Sequence, residues 1–162
     1  MDRLLFALTF VAALGAGLIG GLFFAFSSFV MTALGRLQAP TGIAAMQSIN
    51  VAVLNPGFFT AFFGTAALSV LALIAALMRW SEPGSFCLLA GSLLYLIGTI
   101  LVTMVCNVPL NNRLAAARPD GAEGTNLWRH YLSAWTAWNH VRTIASLAAA
   151  ALFILALVRW PS

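Results

Sequence analysis

The residues best suited to chemistry stand in one short run, Trp135, Trp138, Asn139, His140 and Arg142. On a helix, Trp135, Trp138, Asn139 and Arg142 recur at i, i+3, i+4 and i+7, forming one stripe that is aromatic at its outer end and cationic at its deeper end. The residues that follow, Thr143 to Trp160, are almost entirely apolar. A guanidinium at the head of such a run is costly unless something inside the protein receives it. Two uses are open to Arg142: binding an anionic or enolate oxygen, or bonding helix-end carbonyls or an acidic partner. Asn139 can supply a fixed donor beside it. His140 points about 100° away from Asn139 around the helix axis, and is either a proton-transfer group or a hydrogen-bonded packing histidine.

Further amides gather elsewhere in the chain. Asn107 and Asn111 stand four apart with Pro109 between them; the missing donor predicts a kink or restart that frees carbonyls, so they either wall a cavity or cap a chain leaving the membrane. Gln47, Asn50 and Asn55 complete the candidate set for a bound molecule, although Asn55 before Pro56 is also a helix N-cap. The sequence holds no Ser-His-Asp set, P-loop, dinucleotide fingerprint or H-E-x-x-H motif, which argues against conventional hydrolysis. His130 and His140 are ten residues apart and cannot share a metal on a straight helix, where they lie roughly 15 Å apart along the axis. No metal site is expected; a haem with a single histidine ligand, or copper, is neither demanded nor forbidden by the spacing. Cys87 and Cys106 are too far apart on one continuous helix to pair and read as apolar filler.

The elements that must position these groups are membrane spans. Of 162 residues, 62% are apolar and 7% charged, against roughly 25% charge in a soluble domain. The expected fold is an all-α membrane protein, a single domain of four transmembrane helices over about residues 4–31, 56–78, 85–108 and 135–160. A short interfacial helix is expected at 43–54 after a break at Pro40-Thr41-Gly42, and a helical extension from near Asn126 leads into span 4. The first apolar stretch is too long for a signal-peptide core and reads as a retained span. Ala13, Gly17, Gly21 and Ala25 form a small-residue ladder in span 1, and Gly57, Ala61, Thr65 and Ser69 form another in span 2; such ladders let helices approach closely, within the chain or between copies in a homo-oligomer. Phe23, Phe24, Phe26 and Phe29 crowd the end of span 1, as pocket wall or lipid contact.

This layout places Gln47, Asn50, Asn55, Asn107, Asn111, Trp135, Asn139 and Arg142 on one side of the membrane, opposite the termini and the turn at residues 79–83. All eight basic residues are arginines and none clusters, so the expected partners are the lipid bilayer and a lipophilic small molecule, with no nucleic acid. The arginine distribution leans towards termini on the cytoplasmic side of a bacterial inner membrane, once Arg113 and Arg142 are set aside as site residues.

The four-span layout, Asn55-Pro56, the run Asn107-Val108-Pro109-Leu110-Asn111 and the run Trp135-x-x-Trp138-Asn139-His140-Val141-Arg142 together resemble the anthrone oxygenase-like family. The resemblance implies oxidation of an anthrone to an anthraquinone with O2 and no cofactor. It implies an aromatic slot from Trp135 and Trp138, oxyanion donors from Arg142, Asn107, Asn111 and Asn139, and His140 as base. A noncatalytic lipophile- or quinone-binding protein, or a small structural membrane protein, remain the competing readings.

Overall fold

A computed structural model describes residues 2–118 and 121–159. Four helices are long and apolar enough to cross a membrane: α1 (Arg3–Gly35), α3 (Pro56–Met78), α4 (Ser85–Ala115) and α5, whose apolar span is Glu123–Arg159 within a helix of Gly121–Arg159. A shorter helix, α2 (Ala39–Ala52), lies in the first connection. The chain is an integral membrane protein built as an up-down-up-down bundle, with ring order α1, α3, α4, α5 and its most extensive seam between α1 and α5.

Local sequence explains most of the boundaries. Asp2 caps α1 by accepting from the Leu5 N–H, and Asn55 caps α3 by accepting from the Phe58 N–H with Pro56 in the first turn, where a missing backbone donor costs nothing. The same logic corrects the expectation for α2. Pro40 opens this helix rather than breaking the chain, so α2 starts four residues before Ile43.

Pro109 also fails to end a helix. The third span was expected to stop at Val108, but α4 runs on to Ala115, because two π-helical stretches, Leu94–Leu101 and Thr103–Asn107, widen it just before the proline. A wider turn relieves the clash between a proline ring and the preceding carbonyls. A third π turn, Phe26–Val30, extends α1 past Met31. Helix α5 is 39 residues long, roughly 58 Å, so it overshoots a hydrocarbon core of about 30 Å. Its N-terminal half, the ends of α1 and α4, and α2 form a cap above the spans.

Close packing uses different small residues from those expected. Gly17 and Gly21 have nothing within 4 Å of a notional Cβ, whereas a Cβ on Gly20 would lie 2.7 Å from Leu147 Cδ2, and one on Gly15 would meet Thr65 Oγ1. The α1–α5 seam therefore follows Ala12, Ala16 and Gly20, one face round from the predicted ladder. In span 2 half of the ladder is used: Thr65 and Ser69 are buried, Ala61 is half-buried and Gly57 is exposed.

The interior has two apolar cores. The lower one joins Ala12, Ile19, Phe62, Leu88, Tyr95, Ala149 and Phe153. The upper one joins Met31, Ile43, Met46, Leu114, Trp128, Tyr131 and Trp135. Between them, on α4 and α5, sit the buried polar residues Thr99, Asn107, Asn139, Arg142, Thr143 and Ser146. The π turns of α1 and α4 fall at this joint.

Candidate functional site

Arg142 lies about 25 Å along α5 from Arg159, within the hydrocarbon depth that the bundle must span. It is 4% exposed, and among the described residues no carboxylate pairs with it. Its guanidinium is held by neutral groups. Nη2 donates to Asn139 Oδ1 at 2.6 Å, Nη1 reaches Thr103 Oγ1 at 3.3 Å, and Nε has no hydrogen-bond partner. The Phe23 ring lies 4.1 Å from its Cζ and the Trp135 ring 5.0 Å, so two π faces take up part of the charge.

Asn139 ties this cation to α1. Its Nδ2 donates to the Phe23 carbonyl and to Ser27 Oγ, both at 2.7 Å, and Ser27 meets Thr143 Oγ1 at 3.1 Å. The polarity of the Asn139 amide is thereby settled: its oxygen faces Arg142 and its nitrogen faces acceptors. Ser27 belongs to the π turn of α1 and Thr103 opens a π turn of α4, so both widened turns feed side chains into the arginine's surroundings.

Beside Arg142 is a cavity of about 120 Å³, walled by Phe23, Phe26, Met46, Ile49, Phe58 and Trp135, with Asn50, Thr103 and Asn111 as its other polar groups. At Asn50, Leu54, Val108 and Asn111 it meets an outer cleft of about 420 Å³ that adds Gln47, Asn112 and Ala115. The inner cavity alone is small for a polycycle; inner cavity and cleft together have the size of an ordinary ligand site. The arrangement is a funnel, amide-lined outside and aromatic within, with a cation at its end.

The expected residues divide accordingly. Arg142, Trp135, Asn111 and Asn50 line the funnel, and Gln47 lines its outer part while its Nε2 donates to the Leu114 carbonyl at 2.8 Å. Asn139 reaches the site through Arg142. Asn107 is buried beside it, donating to the Trp135 carbonyl at 3.2 Å, with Oδ1 unpaired. Three residues are not brought to the cavity. Trp138 is 42% exposed on the outer face of α5. His140 is exposed and borders a shallow groove with Met31, Thr32, Ser133 and Thr136. Asn55 caps α3. Their positions follow from helix phase: α5 meets α1 and α4 through Trp135, Asn139 and Arg142, which turns Trp138 and His140 outward. No group of three or more His, Cys, Asp or Glu converges among the described residues.

Thr103 looks like an ordinary span residue in sequence, whereas Tyr131 falls by spacing on the aromatic stripe of Trp128, Trp135 and Trp138. Tyr131 stacks between Trp128 and Trp135, with ring centroids 5.8 and 6.1 Å apart. Of the four phenylalanines ending span 1, Phe23 and Phe26 wall the cavity while Phe24 and Phe29 are exposed.

Fold and site together define a four-span integral membrane protein with a buried arginine, held by neutral groups, at the end of an aromatic funnel. A family model described as anthrone oxygenase matches residues 58–152, more than half of the chain, and the chain belongs to that family. The matched stretch contains Asn107, Asn111, Trp135, Asn139 and Arg142; Phe23, Phe26 and Asn50 lie outside it. Neither a curated protein nor a solved structure gives a match.

Proposed function

We propose that the funnel binds a lipophilic polycyclic phenol, anthrone or quinol, and that the protein oxidises it to a quinone with O2 and no cofactor. The observation that carries this reading is Arg142, a buried cation that no carboxylate among the described residues neutralises, facing an aromatic cavity. A ligand anion supplies the missing charge. An anthrone loses a C10 proton to give an enolate whose charge rests on its oxygen. Fixed positive charge in a water-poor site favours that anion, and Phe23, Phe26 and Trp135 hold its rings.

The remaining chemistry belongs to the anion and O2. One electron passes to O2, the radical pair joins to form a C10 peroxide, and loss of water leaves the second carbonyl. In sum, one CH2 and one O2 give one C=O and one H2O. Among the described residues no imidazole or carboxylate lines the funnel, so in this reading the departing proton leaves by way of water at the amide-lined cleft, and His140 takes no part. The family membership supports the reaction class.

The test is O2 uptake and quinone absorbance with detergent-purified protein and anthrone. Arg142→Ala should lower turnover by about 10²–10³-fold, the usual cost of removing an oxyanion donor. That no imidazole or carboxylate among the described residues lines the funnel favours one second reading, a binding protein for the same class of molecule; saturable binding without O2 uptake would establish that reading and defeat the first. For the arrangement in the membrane, we propose that the termini face the cytoplasm. Single cysteines at Glu82 and Arg118 in a cysteine-free background should then be labelled from the inside and outside respectively.

A further inference from the structure

Asn111 stands where the inner cavity meets the outer cleft. Its Oδ1 accepts two hydrogen bonds, from the Tyr131 hydroxyl at 2.8 Å and from Trp135 Nε1 at 2.9 Å. Indole nitrogen only donates, so the amide cannot be flipped: the oxygen must face the two aromatic residues. Its NH2 group must therefore point the other way, and among the described residues it makes no hydrogen bond. Tyr131 and Trp135 are themselves fixed by stacking on each other and by burial. The result is a donor held in place at the threshold of the cavity.

Two of the funnel's donors are arranged around one ring. Arg142 lies over the Trp135 ring, and Asn111 meets the Nε1 edge of the same indole. A flat molecule lying in the cavity along Trp135 would present one end to the guanidinium and the other to the Asn111 amide. A ligand with a single oxygen satisfies one of the two.

We propose that Asn111 is the second oxygen-binding group of the site, and that the site selects ring systems carrying acceptor oxygens at both ends. The proposal rests on the reading of the Arg142 funnel as the ligand site. It assigns Asn111 to the ligand's second oxygen, which in the oxidation above is the one newly installed, and makes Tyr131 a positioning residue that sets the amide's direction.

The experiment measures binding of anthraquinone, with two carbonyl oxygens, and anthrone, with one, by quenching of tryptophan fluorescence under anaerobic conditions. Wild-type protein should bind anthraquinone about five- to tenfold more tightly, the ratio that one net hydrogen bond gives. Asn111→Ala should remove that advantage and change anthrone binding less than about twofold. If Asn111→Ala does not yield folded protein, Asn111→Asp retains acceptors for Tyr131 and Trp135 while losing the NH2 donors, and should show the same loss of preference. Tyr131→Phe should reduce the preference partly, with anthrone binding unchanged. Equal affinities in the wild type, or equal effects of the Asn111 variants on both probes, would overturn the proposal and leave the funnel reading intact. Failure of both probes to bind would instead overturn the funnel reading.

Discussion

Arg142 costs the protein stability in order to hold a charge. An arginine at the centre of a span costs about 2.5–3.5 kcal/mol on insertion scales; Arg142, nearer the end of its apolar run, costs less than that, and the neutral partners Asn139 and Thr103 offset part of it. Arg142→Met removes the charge and retains much of the volume, but leaves Asn139 Oδ1 without its donor, worth about 1–3 kcal/mol. The two effects nearly cancel. Thermal unfolding in detergent should therefore show a Tm unchanged or raised, while oxidation of anthrone is lost. Asn139→Ala is different, because that side chain also bonds the Phe23 carbonyl and Ser27 on α1. It should lower both stability and turnover, and a fall in turnover with unchanged Tm would separate Asn139 from the α1–α5 seam. Asn139 and Arg142 are legible as a pair from their i, i+3 spacing. What the spacing does not convey is which flank of the stripe faces inward: Trp138, on the stripe, lies outside, and His140, about 100° from Asn139 around the axis, faces away from the funnel.

At the scale of elements, the π-helical stretches decide where side chains arrive. Each wide turn shifts the phase of everything after it relative to an ideal helix. On α4 the shift brings Thr103 to Arg142 and carries Asn111 to Tyr131 and Trp135. The shift needs α4 and α5 to lie close at Gly98, where a Cβ would fall 2.5 Å from Ala145 Cβ. Gly98→Val should force the helices apart, destabilise the bundle by about 1–3 kcal/mol, and impair ligand binding although Gly98 lines no part of the funnel. Gly17→Leu, by contrast, meets open space within the chain, and should leave the Tm of the isolated protein almost unchanged.

The whole bundle is closed at the end opposite the funnel. There Asp2 caps α1 and pairs with Arg79 at the end of α3, while Ser85 Oγ donates to the Arg79 carbonyl. The Leu5 N–H, followed by Arg79, holds the Asp2 carboxyl below its usual value of 3.8. A carboxyl depressed on folding contributes stability above its unfolded pKa and loses it as pH falls through the folded value. The Tm in detergent should therefore drop below about pH 4 through this group, and Asp2→Asn should flatten that drop while leaving the funnel's activity at pH 7 unaltered. Because Asp2 and Arg79 are both largely exposed, raised salt should weaken their ionic contribution.

Composition and hydropathy by themselves determined the membrane class, the number of spans, the capped start of α3 at Asn55 and the presence of polar groups on one side. Those features depend on transfer free energy and on local backbone chemistry, which short segments carry with them. Only the tertiary structure decided the depth of the site and its membership. Proline at Pro40 and Pro109 proved compatible with helix because of first-turn placement and a widened turn, neither of which a residue type announces. The cavity depends on the angular phase of three helices against one another, accumulated over π turns. It is this phase that turns Trp135 and Arg142 into the cavity, and Trp138 and His140 away from it.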